Sequence, residues 1–213
     1  MFNKKIIDLT LPINNKMGGV TITPAKTLSV DGWNATTLNL YSHSGTHMDA
    51  PLHFGVNDQT IDKLPTERLI SEAWVVNLTH IKPKEEILIS HLDVITDDFK
   101  AGQSIILHTG WSKKVGTSAY RNDLPRISSE LANWLGEKKV NILGVEPPSV
   151  ADVNNIDEVT EIHHILMKND IIIVEGLCNL EQITKTKVTL IALPLKIEGG
   201  DGSPTRAIAL QDF

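Results

Sequence analysis

Three of the chain's eight histidines and one aspartate fall within eleven positions: His43, His47, Asp49 and His53. Two neutral imidazoles and a carboxylate form a donor set that suits zinc or manganese. Water held by such an ion ionises near neutral pH, so the chemistry on offer is hydrolysis. The spacing of four between His43 and His47 would put both on one face of a helix. Gly45 and Pro51, with Ser44 and Thr46, argue against a helix here, and the stretch reads as a strand end running into a tight loop. On an extended segment His47 and Asp49 point the same way, and a turn at Ser44-Gly45 brings His43 back toward them. Gly45 lets the backbone approach an ion closely. Pro51 stiffens the exit and sets His53 at the rim of the site.

Three ligands call for further donors from elsewhere, and the candidates are His163, His164 and Glu175. Glu175 ends the apolar run Ile171-Ile172-Ile173-Val174, where burying an unpaired carboxylate costs on the order of several kcal/mol unless a cation faces it. The alternative is a Glu175 just past the strand in solvent, or paired with a Lys or Arg. A covalent route has less support: no G-x-S-x-G elbow occurs, and Cys178, the one cysteine, reads as a small buried hydrophobe.

Apolar, β-branched runs between loops and helical patterns give an α/β layout. The expected strands are Lys5 to Leu11, Val20 to Val30, Thr36 to Ser42, Ala73 to Thr79, Ser104 to His108, Asn141 to Val145, Asp170 to Glu175, Val188 to Leu195 and Thr205 to Leu210. Several are apolar throughout, so the sheet must be covered on at least one face. The pattern from Ile127 predicts a helix carrying Leu131, Trp134 and Leu135, capped by Ser128 and ending near Gly136. Further helices are expected over His91 to Phe99 and Glu161 to Lys168. Trp33 and Trp111 lie in turn-like contexts where a pocket wall is an option beside the core. Arg206 reads as one half of a surface or structural ion pair, with a substrate carboxylate as the other option.

The length of 213 residues fits one domain, 1–213, and 41% hydrophobic with 22% charged residues is ordinary globular composition. A formal net charge of -6 with scattered Lys and Arg gives no basic field for nucleic acid. Asp8 interrupts the first apolar run before signal-peptide length, and no run approaches a membrane span, so no membrane association is expected. A lone cysteine suits a cytoplasmic setting.

The stretch His43-Ser44-Gly45-Thr46-His47-Met48-Asp49-Ala50-Pro51-Leu52-His53 is similar to the signature His-x-Gly-Thr-His-x-Asp-x-Pro-x-His of the cyclase family of metal-dependent hydrolases, which includes bacterial kynurenine formamidase and isatin hydrolase. His108-Thr109-Gly110-Trp111, Gly144 to Ser149, His163 to Glu175 and Asp201-Gly202-Ser203-Pro204-Thr205-Arg206-Ala207 resemble the family's later segments in the family's order. Glu146 departs from the more usual Asp. The resemblance implies an α/β, swivelling β/β/α fold with a mixed sheet. It implies His43, His47 and Asp49 on one metal and Asp49, His163 and Glu175 on a second, with His53 as the proton-transfer residue. His164 matches nothing ligand-like. The implied cofactor is one or two Zn2+ ions or Mn2+, and the implied assembly a homodimer or homotetramer. The implied reaction is hydrolysis of a small-molecule amide, with N-formylkynurenine first and a cyclic amide, imide or lactone next. A non-catalytic metal-binding protein is the reading from another class.

Overall fold

Strands without a polar face need cover on both sides. In the computed structural model, which describes residues 4–93, 95 and 98–212, such strands form the middle of a sheet that closes on itself. In chain order the elements are β1 (Lys4–Asp8), β2 (Val20–Lys26), α1 (Leu28–Asp31), β3 (Ala35–Leu40), β4 (His47–Asp49), β5 (Ile70–Asn77), β6 (Glu86–Ile87), β7 (Ser104–His108) and α2 (Ser118–Asn122). There follow β8 (Arg126–Ile127), α3 (Ser129–Glu137), β9 (Ile142–Val145), α4 (Ile156–Lys168), β10 (Ile172–Glu175), β11 (Lys187–Pro194) and β12 (Gly202–Asp212).

The main sheet runs β1-β12-β11-β5-β7-β9-β10-β4, and β4 pairs again with β12. Strands β5, β7, β9 and β10 are mutually parallel, while β11, β12, β4 and β1 are antiparallel to their neighbours. This is the mixed α/β sheet that the sequence implied. Its strands sort their side chains by parity. The enclosed face takes Met48, Ile106, Ile142, Ile172, Val174, Leu190 and Ala209. The outer face takes Ile105, Leu107, Leu143, Val145 and Ile173, and α3 and α4 cover it with Leu131, Leu135, Ile162 and Leu166. Glu175 shares the parity of Ile173, and His47 and Asp49 flank the inward Met48. All three therefore face the layer under α4, and His163 is among the buried residues of that helix.

The helix caps explain the helix limits. Ser128 accepts from the Leu131 amide at 3.1 Å, as its position predicts. Helix α4 starts at Ile156, five residues before the expected Glu161, because Asn155 caps it and Asp157 and Glu158 suit the positive end of its dipole. The strand expected over Val20 to Val30 stops at Lys26, where residues 28–31 wind into one helical turn closed by Gly32 at φ 79°. The strand expected over Thr36 to Ser42 ends at Leu40. The histidine stretch is thus not a strand end running into a loop: residues 41–46 form a loop that enters β4. Of the helix expected over His91 to Phe99, His91 and Leu92 close a 3-10 turn, while residues 94, 96 and 97 lie outside the described residues.

The two helices make different demands on stability. Leu166→Ala, at a fully buried position of α4, should cost about 2–5 kcal/mol, and Ser128→Ala about 1 kcal/mol. Urea midpoints measured side by side check that order.

Candidate metal centre

The loop before β4 is held from three sides by one residue, Thr46. Thr46 Oγ1 donates to the Gly176 carbonyl at 2.6 Å and accepts from the Leu11 amide at 2.8 Å, while its own carbonyl accepts from the Thr205 amide at 2.9 Å. Behind it Gly45 and Gly176 sit in the left-handed region at φ 65° and 69°. A Cβ on Gly176 would lie 2.3 Å from the Gly45 carbonyl oxygen, so only glycine permits that approach. The same carbonyl accepts from His47 Nδ1 at 3.0 Å. The loop and the exit of β10 are thereby locked together at the point where His47 is oriented.

The structure brings all five expected ligand residues together. Strand pairing sets Asp49 opposite Ile173 and His47 opposite Glu175, and α4 lowers His163 onto them. His47 Nε2 stands 3.2 Å from Glu175 Oε2 and 3.7 Å from Asp49 Oδ1. His163 Nε2 stands 3.5 Å from Glu175 Oε1 and 3.6 Å from Asp49 Oδ2. His43 Nδ1 lies 2.9 Å from Asp49 Oδ1. Donors from His43, His47 and Asp49 lie within 4.8 Å of one another, as do those from Asp49, His163 and Glu175, so the two Asp49 oxygens serve two neighbouring groups.

The hydrogen-bond chemistry of these groups fits a cation. His47 Nδ1 faces the Gly45 carbonyl and His163 Nδ1 the Val159 carbonyl at 2.6 Å. A carbonyl only accepts, so each Nδ1 carries the proton and each Nε2 presents a lone pair to carboxylate oxygens. Bare nitrogen and oxygen atoms repel across 3.2–3.7 Å unless a proton or a metal ion lies between them. Ligands bonded tetrahedrally at about 2.0–2.2 Å stand about 3.3–3.6 Å apart, which matches. Asp49 and Glu175 are buried, and among the described residues their ion partners are imidazoles, with no Lys or Arg.

Burial disfavours charge on His43, but hydrogen bonds and charges from Asp49 and Asp201 outweigh it and lift the pKa to about 9. Burial likewise opposes charge on His47 and His163, and the Glu175 hydrogen bonds with the Asp49 and Glu175 charges raise both. Burial would raise Asp49 and Glu175, yet the facing imidazoles hold both below the usual carboxylate range. These directions favour protonated imidazoles facing ionised carboxylates when no metal is bound.

His53 stands apart from this cage. It lies on the 3-10 turn Pro51–Phe54, its side chain a quarter exposed, with its ring stacked 3.8 Å from that of His43. Burial, with the His43 and His163 charges, lowers its pKa against the pull of Asp49 and Asp201. His164, left out of the ligand set, turns away and bonds the Phe54 carbonyl at 2.8 Å. The sequence reading missed Thr46, and it missed Asp201, whose Oδ2 lies 3.0 Å from His43 Nε2 and 3.5 Å from His53 Nδ1. A threonine between glycine and histidine was the only signal for the first; an acid amid glycines was the signal for the second. Glu146 also had no role. Its buried carboxylate accepts from the Gly110 amide and from Ser112 Oγ at 2.7 Å, which organises the turn after β7. Arg206 forms the expected ion pair, with Asp8 at 2.7 Å. Trp111 is buried in the core and Trp33 is exposed. Burial pushes the Cys178 thiol up to about 11, which leaves no thiolate for attack.

The family model described as "Putative cyclase" matches residues 7–152. The chain is 28% identical to a kynurenine formamidase of Bacillus cereus over 95% of each chain. It is 32% identical to a kynurenine formamidase of Salinibacter ruber, over 82% of this chain and 79% of the relative. A crystal structure of an isatin hydrolase bound to the product analogue thioisatinate superposes with a TM-score of 0.90 at 24% identity, covering 99% of this chain and 94% of that one.

Two outcomes follow from this geometry. Gly176→Ala should displace the Gly45 carbonyl and lower metal content, and it should cost more stability than Gly55→Ala. Gly55 shares the left-handed backbone but has open space around it, so the strain there is about 1–2 kcal/mol. Thermal melts with metal analysis of both variants decide this. In metal-free protein the raised His43 pKa contributes stability that is fully present below about pH 6.5 and lost as pH rises through about 9. The melting temperature of chelator-treated protein should therefore fall across that window. The gain on adding zinc or manganese should widen with pH, since fewer protons then compete for the donors. Melts with and without metal at pH 6, 7.5 and 9 measure the gap.

Proposed function

This chain belongs to the Cyclase family, and from that premise we propose that it is a metal-dependent hydrolase of a C–N bond outside peptides, with N-formylkynurenine as its substrate and formate and kynurenine as products. The observation that carries the reading is the convergence of His43, His47, Asp49, His163 and Glu175 from a loop, two strands and a helix around donor groups of metal spacing, with His53 at the open side. His43, His47 and Asp49 hold one ion, and Asp49, His163 and Glu175 hold a second where two bind. One or two Zn2+ ions, or Mn2+, suit these nitrogen and oxygen donors. A bound divalent ion lowers the pKa of water toward neutrality and polarises a carbonyl.

His53 supplies the proton transfer. Its lowered pKa leaves the imidazole neutral near pH 7. It takes a proton from the water that attacks the formyl carbon and gives it to the leaving nitrogen as the C–N bond breaks. Water contributes its oxygen to formate and its proton to the amine, so no covalent enzyme intermediate is needed.

A second reading is hydrolysis of a cyclic amide, imide or lactone, favoured by the close superposition on an isatin hydrolase over 99% of this chain. The same residues would open a ring, with the leaving group kept in the product. A metal-binding protein without turnover fits less well, because structural sites are closed and favour cysteine, whereas His53 is accessible beside the cage.

The working unit proposed is one domain of residues 1–213 acting on a small molecule in the cytoplasm, with no nucleic-acid or membrane partner. Among the described residues no helix is long and apolar enough to cross a membrane. Assembly into a homodimer or homotetramer agrees with the arm of β2, α1 and β3, where Leu28, Val30, Trp33 and Leu38 are exposed.

Asp49→Ala should lose both metal and rate by orders of magnitude. His53→Ala should keep its metal and lose about 10²-fold to 10⁴-fold in kcat. Metal analysis beside assays of N-formylkynurenine, isatin and lactones, with and without chelator, tests this. A fully active His53→Ala would remove that residue from the mechanism, and turnover untouched by chelator would remove the metal.

A further inference from the structure

Asp201 lies in the turn that leads into β12, and its backbone is pinned on both sides. Its carbonyl accepts from the Ala50 amide at 2.9 Å, the preceding Gly200 carbonyl accepts from the Ile61 amide at 2.8 Å, and the following Gly202 pairs with Asp49. At Gly202 a Cβ would come within 2.7 Å of His43 Cε1, so the turn presses directly against that ring. From this fixed base the carboxylate reaches two imidazoles that lie nearly parallel, 3.8 Å apart at 26°. Oδ2 is 3.0 Å from His43 Nε2 and 3.5 Å from His53 Nδ1. Among the described residues its ion partners are these two rings, with no Lys or Arg.

A carboxylate in this position selects tautomers. A proton on His43 Nε2 donates to Asp201 and leaves Nδ1 bare, the nitrogen that faces Asp49 Oδ1. The same oxygen lies 3.5 Å from His53 Nδ1 and draws a proton to that nitrogen by charge, which leaves Nε2 bare, the atom then able to take up a proton. One oxygen would set both the ligand nitrogen of His43 and the working nitrogen of His53. We propose that Asp201 is the positioning residue of the site, holding His43 and His53 in these two tautomers through a single shared carboxylate. The proposal rests on the hydrolase reading for its kinetic consequences and on geometry alone for its structural ones. The competing use of the same atoms is a further ion, since His43, His53 and Asp201 also offer donors within 4.8 Å of one another.

The test uses the whole zinc-loaded protein as wild type, Asp201→Ala, Asp201→Asn, His53→Ala and the double variant His53→Ala/Asp201→Ala. Asp201→Asn keeps the side-chain volume should the alanine variant disturb the turn, and it is expected to act in the same direction. Ions bound per chain at saturating zinc should be unchanged in Asp201→Ala. Its kcat should fall roughly 10-fold to 100-fold with KM little altered. On the His53→Ala background the same change should cost clearly less than in wild type, because only the His43 half of the role is left to lose. Nitrogen-15 spectra of the histidine rings should show the His53 proton leaving Nδ1 in Asp201→Ala. A drop of one bound ion would make the trio an ion site and overturn the proposal. So would a slowing of His53→Ala as large as that of wild type, which marks an independent structural role. If the wild type turned over none of the substrates, the hydrolase reading would fail by itself. The ring spectra would then decide alone, and a His53 proton that stays on Nδ1 without the carboxylate would refute the role of Asp201.

Discussion

Two carboxylates in a dry layer, with no Lys or Arg beside them among the described residues, are the constraint on which the rest of the structure depends. Asp49 and Glu175 repel each other, and burial alone would protonate both. Each is instead faced by imidazole nitrogen whose opposite ring atom is already committed to a carbonyl. That commitment separates the arrangement from an ordinary buried ion pair. An Arg would neutralise the acids permanently and fill the space, whereas an imidazole can yield its proton to a competing metal and leave room for an ion of higher charge. The acids are thus countered by imidazoles without metal, and the same donors are open to a metal in place of those protons.

The closed sheet makes this possible through parity. A strand that buries Met48 inward must turn His47 and Asp49 outward, and a strand that buries Ile172 and Val174 inward must turn Glu175 outward. Pairing β4 with β10 then puts the acids and a histidine side by side without any special backbone, and α4 needs only to expose His163 on the face that already buries Val159, Ile162 and Leu166. A one-residue slip of β4 against β10 would send Asp49 into the enclosed core and away from Glu175. The costly contact is confined to the loop, where Gly45 and Gly176 meet and Thr46 bonds three segments.

Much of this was legible because the strong signals are local. Strand β7 coincides with its expected limits, and Ser128 caps α3 as its place before an apolar periodic run implies. Strand β4 is three residues long, too short for any periodicity, so its existence could be read only through its partners. Glu146 and Glu175 show why local pattern alone falls short. Both end an apolar run and both are buried, yet one is satisfied by amide and hydroxyl donors of the turn after β7 and the other by imidazoles together with the Val150 amide at 2.8 Å. They differ in parity: Glu146 continues the face of Ile142 and Gly144, while Glu175 continues that of Ile173. Which face carried the helix layer was not readable from either segment. Asp201 was hidden for a related reason, since a loop acid gains meaning only when strand pairing lays it across two rings from a stretch far away in the chain.

The exposure gradient across the cluster carries the last step. His47, His163, Asp49 and Glu175 have side chains between 1% and 4% exposed, His43 8%, His53 25% and Asp201 42%. Groups that must stay bare and fixed lie deepest, where water cannot compete for them. His53, the residue proposed to exchange a proton with incoming molecules, lies further out, on a turn stiffened by Pro51. A cluster serving stability alone would gain nothing from leaving its outermost histidine accessible, because each exposed polar contact is weakened by solvent. The order from dry to wet matches the path that the proposed reaction asks of a proton, from attacking water to bulk.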